Sequence, residues 1–256
     1  MILDIDAGNT RIKWRAHSGG RPSADESAVG GIETLADDSL LDNIEQAIAA
    51  DATIKRVRIA SVRNSERLDA LTAEMDKRWR VRAEFAATSA QACGVQNSYA
   101  LPETMGVDRW CAVIAAAHLS TVSISNTPFC VIDAGSALTL DFVNAQGAHQ
   151  GGHIVPGYAM QLQSLLGGTD RVFINNAPAQ IALQAADNTG DAVLSGVLLS
   201  MTGLIEAALR RFTAEMGGSV VVIITGGDAE LLQQHLPIVM QHEPDLVLDG
   251  LAHLMP

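Results

Sequence analysis

The chain has 256 residues, nearly half of them apolar, with a formal charge of −12 and a pI near 4.9. That length fits one large domain or two of ordinary size, with enough apolar material for a core that needs no covalent staples. The acidic balance argues against a nucleic-acid partner, whose phosphates demand dense Lys and Arg, and leaves any anionic ligand to be held by local groups.

Strand signals cover residues 1–6 and 11–17, joined by a tight turn around Gly8 and Asn9. A third strand is expected between Gly19-Gly20 and Gly30-Gly31. Residues 39–50 place Leu40, Leu41, Ile44, Ala47 and Ile48 on one side of a helix, and RVRIASV at 56–62 alternates as a strand does. An amphipathic helix over 64–80 and a short strand over 81–86 follow. Nine of the 17 basic residues fall between Lys55 and Arg82, and most of these are expected on the solvated face of a helix and its flanking strands. Residues 97–105 read as a loop, and a helix runs from Val107 to about Leu119.

SISNTP at 123–128 is the most linker-like stretch, which divides the chain into 1–122 and 123–256. Beyond it the order repeats: strands at 129–133 and 137–143, a turn at Gln146-Gly147, and a strand near 149–155. A helix is expected after Pro156-Gly157 and a long one over 191–216. VVVIIT at 220–225 is a β-branched run suited to a buried strand. A helix from Asp228, a strand at 245–249 and a short terminal helix close the chain.

Cys93, Cys111 and Cys130 lack CxxC spacing and read as reduced core thiols. His149 and His153 flank Gly151-Gly152, so they do not share a helix face, and a metal site made by protein ligands alone is not expected. No uninterrupted apolar run reaches the roughly 18 residues of a membrane span. The opening residues read as a strand rather than a leader. A cytoplasmic protein with no membrane partner is expected.

Two five-residue words recur. DAGNT at 6–10 and DAGSA at 133–137 each follow an apolar run and lead into an alternating one, with their aspartates 127 positions apart. The pattern predicts two similar α/β domains. A glycine at a hairpin tip accepts positive φ, and the tight fold turns several N–H groups one way, which suits phosphate oxygens. Asp6 at the strand end can hold hydrated Mg²⁺ against the same phosphates, and Lys13 can add charge. One such turn is an ordinary hairpin as readily as a phosphate cradle; a matched pair with an aspartate at each strand end favours the cradle. Gly226-Gly227, after the buried strand, permits close backbone approach at a helix start, where Asp228 is also a natural cap. Neither a Walker A sequence nor GxGxxG is present. GVDRW at 106–110 places Asp108 in a first helical turn, where the helix dipole alone would favour it. Beside Arg109 and Tyr99 it could also bind a carboxylate substrate and accept its hydroxyl proton. GGHIVPG at 151–157 reads either as a substrate wall or as turn packing.

DAGNTRIKWR, GVDRW, VIDAGSALTLDF, GGHIVPG, the stretch from Thr189 to Gly196, ITGGDAELL and DLVLDGLAHL together resemble the type III pantothenate kinases over nearly the whole chain. The resemblance implies the fold of the acetate-kinase, sugar-kinase, Hsp70 and actin superfamily: two duplicated RNase H-like α/β domains, mixed central sheets flanked by helices, and an ATP cleft between them. It implies phosphorylation of pantothenate on its 4′-hydroxyl with ATP, Mg²⁺ and a monovalent cation, K⁺ or NH₄⁺, in a homodimer whose substrate site lies near the interface. Residue by residue, it assigns ATP binding to Asp6, Ala7, Gly8, Asn9, Thr10, Arg11, Ile12, Lys13 and Ser136, with Gly226 and Gly227 joining them. Asp108 becomes the proton acceptor. Tyr99, Gly106, Val107, Arg109 and Thr189 become substrate contacts, and Asp133 the monovalent-cation ligand. Ser136 departs from the family's threonine: it keeps the hydroxyl and loses a methyl that stiffens the rotamer. A kinase for another small hydroxy acid, or a nucleotide-binding accessory protein with little catalysis, are the competing readings.

Overall fold

The computed structural model describes residues 1–8, 11–19, 29–34, 39–48, 52–62, 66–123, 127–167 and 181–256. They form two compact units. One holds Met1–Ser123, Gly147–His149 and Asp245–Pro256, the other Ile124–Gln146 and Gln150–Pro244. The closing residues, counted with the second half on chain order, thus cluster with the first.

In the first unit, strands β1 (Ile2–Ala7), β2 (Arg11–His17), β3 (Val29–Thr34), β4 (Arg56–Ser61) and β5 (Ala83–Phe85) form a sheet in the order β3-β2-β1-β4-β5. β1 pairs antiparallel with β2 and parallel with β4. Period-two alternation sends Leu3, Ile5, Ala7, Ile12, Trp14, Val57 and Ile59 to one face, where they pack with Leu41 and Ile44 of helix α1 (Leu40–Ala47) and Leu68 and Met75 of α2 (Glu66–Trp79). A small hairpin of β6 (Gln91–Ala92) and β7 (Val95–Gln96) precedes helices α3 (Val107–His118) and α4 (Ser120–Ser123).

The second unit repeats the plan. Strands β8 (Phe129–Ala134), β9 (Ala137–Val143), β10 (His149–Pro156), β11 (Val221–Thr225) and β12 (Gln241–His242) lie in the order β10-β9-β8-β11-β12. β8 is antiparallel to β9 and parallel to β11. This is the order of the first sheet, so the recurrence of DAG reflects a repeated strand plan. Helices α5 (Tyr158–Gly167), α6 (Thr189–Met216) and α7 (Ala229–His235) complete the unit. α6 is long and apolar enough to cross a membrane by composition, with a mean hydropathy of 1.8 over its most apolar stretch. Leu198, Met201, Ile205, Leu209 and Phe212 instead carry half of that stretch into the core over β8, β9 and β11.

The DLVLD run, expected as a strand, opens helix α8 (Leu246–Leu254) with Asp245 at the N-cap position. Five residues satisfy both periods, so the run alone cannot decide. Leu246, Val247, Leu248, Gly250 and Leu251 are all buried, so packing of the helix against α3, rather than the local pattern, decides the outcome. α8 packs along α3 so closely that a Cβ on Gly250 would stand 2.0 Å from the Cys111 carbonyl oxygen. Gly250→Ala is therefore expected to lower stability by about 1–3 kcal/mol through forced separation of the two helices. A urea midpoint equal to that of the parent chain would show that the helices part freely.

α8 also covers the polar face of the first sheet. Lys13 Nζ lies 2.7 Å from Asp245 Oδ1, and Arg15 Nη2 lies 2.8 Å from Asp249 Oδ1. Two residues of strand advance about 6.6 Å and four of helix about 6 Å, so the two rungs match. Beneath them Arg58 forks onto buried Asp4, Nε to Oδ1 at 2.7 Å and Nη2 to Oδ2 at 3.0 Å, and donates from Nη1 to the Met255 carbonyl. Arg58 is only 2% exposed, an exception to the solvated placement expected for most basic residues of 55–82. Arg78, by contrast, lies among Asp42, Glu74 and Glu45 on the surface as expected.

Candidate functional site

In the first unit the site begins where β1 ends. Asp6 stands opposite Lys13 in the β1–β2 register, one pair from the hairpin tip. Gly8 is tight there, since a Cβ would lie 3.2 Å from the Arg11 carbonyl oxygen. Ala7 and Ile12 are buried in the apolar core, so only their backbone is available to a ligand; Arg11 is exposed. Asn9 and Thr10 lie outside the described residues. Lys13 faces Asp245, so a phosphate approaching it meets a carboxylate competitor.

Asp108 is the second residue of α3, and its Oδ1 accepts the Arg109 N–H at 2.7 Å. The carboxylate folds back over the N-cap residue Gly106, where a Cβ would lie 2.6 Å from Oδ1. Val107 is buried beside it. Burial first, and then the carboxylates of Asp6, Asp108 and Asp4, push the Cys111 thiol far above its ordinary value. Asp6 and Asp108, 102 residues apart in the chain, thus both act on the same buried thiol. The Arg109 guanidinium, 6% exposed, donates from Nη1 to the Tyr99 hydroxyl at 3.0 Å, its carbon 5.8 Å from the ring centre. Cys93 is exposed, contrary to the expectation of three core thiols; Cys111 and Cys130 are buried.

In the second unit Asp133 stands at the end of β8 beside Thr139 of β9 and Thr225 of β11. The DAGSA hairpin closes through a Gly135 N–H to Ala137 carbonyl bond of 3.0 Å, and the Gly157 N–H donates to the Ser136 carbonyl at 2.9 Å. GGHIVPG thus packs its last glycine onto the hairpin, which favours the turn-packing reading of that stretch. Gly226 has φ of +95° and lies against Ala134, where a Cβ would be 2.4 Å from the carbonyl carbon. Gly227 follows in the same turn, and the Asp228 N–H donates to the Ala134 carbonyl. Asp228 takes the N-cap position of α7 without a side-chain capping bond. Thr189 opens α6 after Asn188, whose Oδ1 accepts the Asp191 N–H, and it lines a groove of about 660 Å³ with Gln161, Leu165 and Ser200. Among the described residues no group of three or more His, Cys, Asp or Glu could hold a metal.

The model of the type III pantothenate kinase family matches residues 2–211. The chain belongs to the type III pantothenate kinase family. A type III pantothenate kinase of Nitrosococcus oceani is 33% identical over 254 residues, covering 99% of this chain and 93% of the relative. Among solved structures, a protein from Campylobacter jejuni described as a Baf family transcriptional activator has a TM-score of 0.58 at 19% identity, covering 99% of this chain and 96% of that one. Porphyromonas gingivalis acetate kinase has a TM-score of 0.52 at 11% identity, with 99% and 98% covered, a likeness of fold.

For a type III pantothenate kinase, the structure brings Asp6, Lys13, Tyr99, Gly106, Val107, Asp108 and Arg109 into the first unit. Asp133, Ser136, Thr189, Gly226 and Gly227 belong to the second. Sequence reasoning missed Asp245 and His149, which engage Lys13 and Ser98 respectively. It also missed Tyr158, whose enclosed hydroxyl is raised by burial and by Asp228.

Proposed function

We propose that this chain transfers the γ-phosphoryl group of ATP to the 4′-hydroxyl of pantothenate, the first step of coenzyme A biosynthesis, in the cytoplasm. The observation that carries the reading is the family match over residues 2–211, with Asp108 in the first turn of α3 and Asp6 near the tip of a phosphate-type hairpin in the same unit. Asp108 orients the hydroxyl and takes its proton late in an in-line transfer, while Tyr99 and Arg109 hold the acid portion of the substrate. Lys13, the hairpin N–H groups and Ser136 hold ATP, and Gly226-Gly227 allow it close to the backbone.

The Asp6 carboxylate is an oxygen donor of the kind that suits Mg²⁺, with phosphate oxygens and water completing the shell. Asp133 is the corresponding oxygen donor for K⁺ or NH₄⁺. When bound, these cations neutralise charge on the phosphates. Exposed Met160, Leu165 and Leu199 on α5 and α6, next to the groove with Thr189, support a homodimer formed through that face.

ADP release should require pantothenate and rise on adding K⁺ or NH₄⁺ in a coupled assay. Absence of pantothenate-dependent release under either cation would overturn the proposal, and release driven only by another hydroxy acid would redirect it.

A further inference from the structure

The segment Gly147–His149, distant in sequence from the substrate loop, lies along it. The Gln96 N–H donates to the Gly147 carbonyl at 2.9 Å, and Gln96 bridges in parallel to Ala148. Gly147, at φ of +77°, comes so near Gly94 that a Cβ would stand 2.6 Å from its carbonyl oxygen. This strapping delivers His149, 2% exposed, beneath the loop. Its Nδ1 is 2.8 Å from Ser98 Oγ, and its ring centre lies 6.1 Å from that of Tyr99.

Three consecutive loop residues are thereby held through side chains. Asn97 Oδ1 accepts the Tyr99 N–H at 2.9 Å, Ser98 meets His149, and the Tyr99 hydroxyl accepts from Arg109. A loop has no strand ladder to fix it, so such bonds set where its side chains stand. The anchor under Ser98 differs from the other two because it comes from a buried group outside the loop and outside α3.

We propose that His149 is a positioning residue for acid-substrate recognition, fixing Ser98 and through it the Tyr99 ring that Arg109 engages. The proposal rests on the reading of Tyr99 and Arg109 as substrate contacts. Holding the ring before substrate arrives removes an ordering cost from binding, so the imidazole acts on affinity for pantothenate and leaves ATP and the proton transfer alone.

Steady-state kinetics with both substrates varied tests this on the full chain. Ser98→Ala and His149→Leu should each raise the KM for pantothenate by roughly three- to tenfold, the size of one net hydrogen bond. The KM for ATP should stay put and kcat should change less than the pantothenate KM. The double variant should be no worse than the poorer single one, because both remove one interaction. His149→Asn, which keeps a polar atom near the Nδ1 position, should restore most of the parent KM. An unchanged pantothenate KM in Ser98→Ala, or an equal rise for both substrates with a lower Tm in His149→Asn, overturns the proposal and leaves His149 a packing residue. Arg109→Lys separates the layers. If it too leaves the pantothenate KM unchanged, the substrate reading itself fails; if it impairs that KM while the His149 and Ser98 variants do not, only the role of His149 fails.

Discussion

Asp108→Asn is expected to lower kcat by about 10²–10⁴-fold, with the affinity for ATP unchanged. Asparagine has nearly the same volume, so it fits over Gly106, where the carboxylate now folds. Its amide oxygen still accepts the Arg109 N–H, so the first turn of α3 keeps its local bond. What it loses is the capacity to take a proton and the charge that the helix start stabilises. A loose transition state asks little of a base until late in the transfer, which favours the lower part of that range. Turnover by coupled ADP release, ATP binding by calorimetry and the thermal midpoint should be measured on the same preparation. Parent-like turnover would remove Asp108 from the chemistry. A lost midpoint would mean that the substitution had damaged the helix instead.

Much of the scaffold around that residue could be read before any coordinates. Strands alternate with a period of two, and DAG marks the hairpin tip in each half, so β1–β2 and β8–β9 were legible from local pattern. α3 was legible from its apolar spacing and from the glycine before it. Two of the failures share one physical character: their partners are distant in the chain. RIKWRAH and RVRIASV look like strands with one solvated face, which is how many antiparallel sheets behave. Here a helix from the far end of the chain covers that face, and Arg58 finds Asp4 54 residues away and the Met255 carbonyl 197 away. His149 is similar. Flanked by a loop and two glycines, it has no periodic signature, and its partner Ser98 is 51 residues distant. The short DLVLD run failed for a different reason, since its period is ambiguous and its burial is set by contact with α3.

Arg58→Met should cost about 3–5 kcal/mol of unfolding free energy, the typical consequence of leaving a buried charge without its partner. Asp4 is fully buried, and Arg58 supplies both of its charged fork bonds at 2.7 and 3.0 Å. His17 Nε2 at 3.0 Å and Arg15 Nη2 at 3.9 Å also approach the carboxylate, and their presence sets the lower end of the range. Methionine fills much of the space but cannot donate to Asp4 or to the Met255 carbonyl, so the end of α8 loses its tie to β4 as well. Urea midpoints with a shared slope would measure the loss. Adding Asp4→Asn to the Arg58→Met chain separates charge from packing. If the uncompensated carboxylate is the cost, the double variant will be more stable than the sum of the two single losses predicts. Simple additivity, or a loss below about 1 kcal/mol in Arg58→Met, would show that the neighbouring cations already satisfy Asp4. The outcome bears on the site directly, because Asp4 and Asp6 lie two residues apart on β1, on the sheet face that α8 covers.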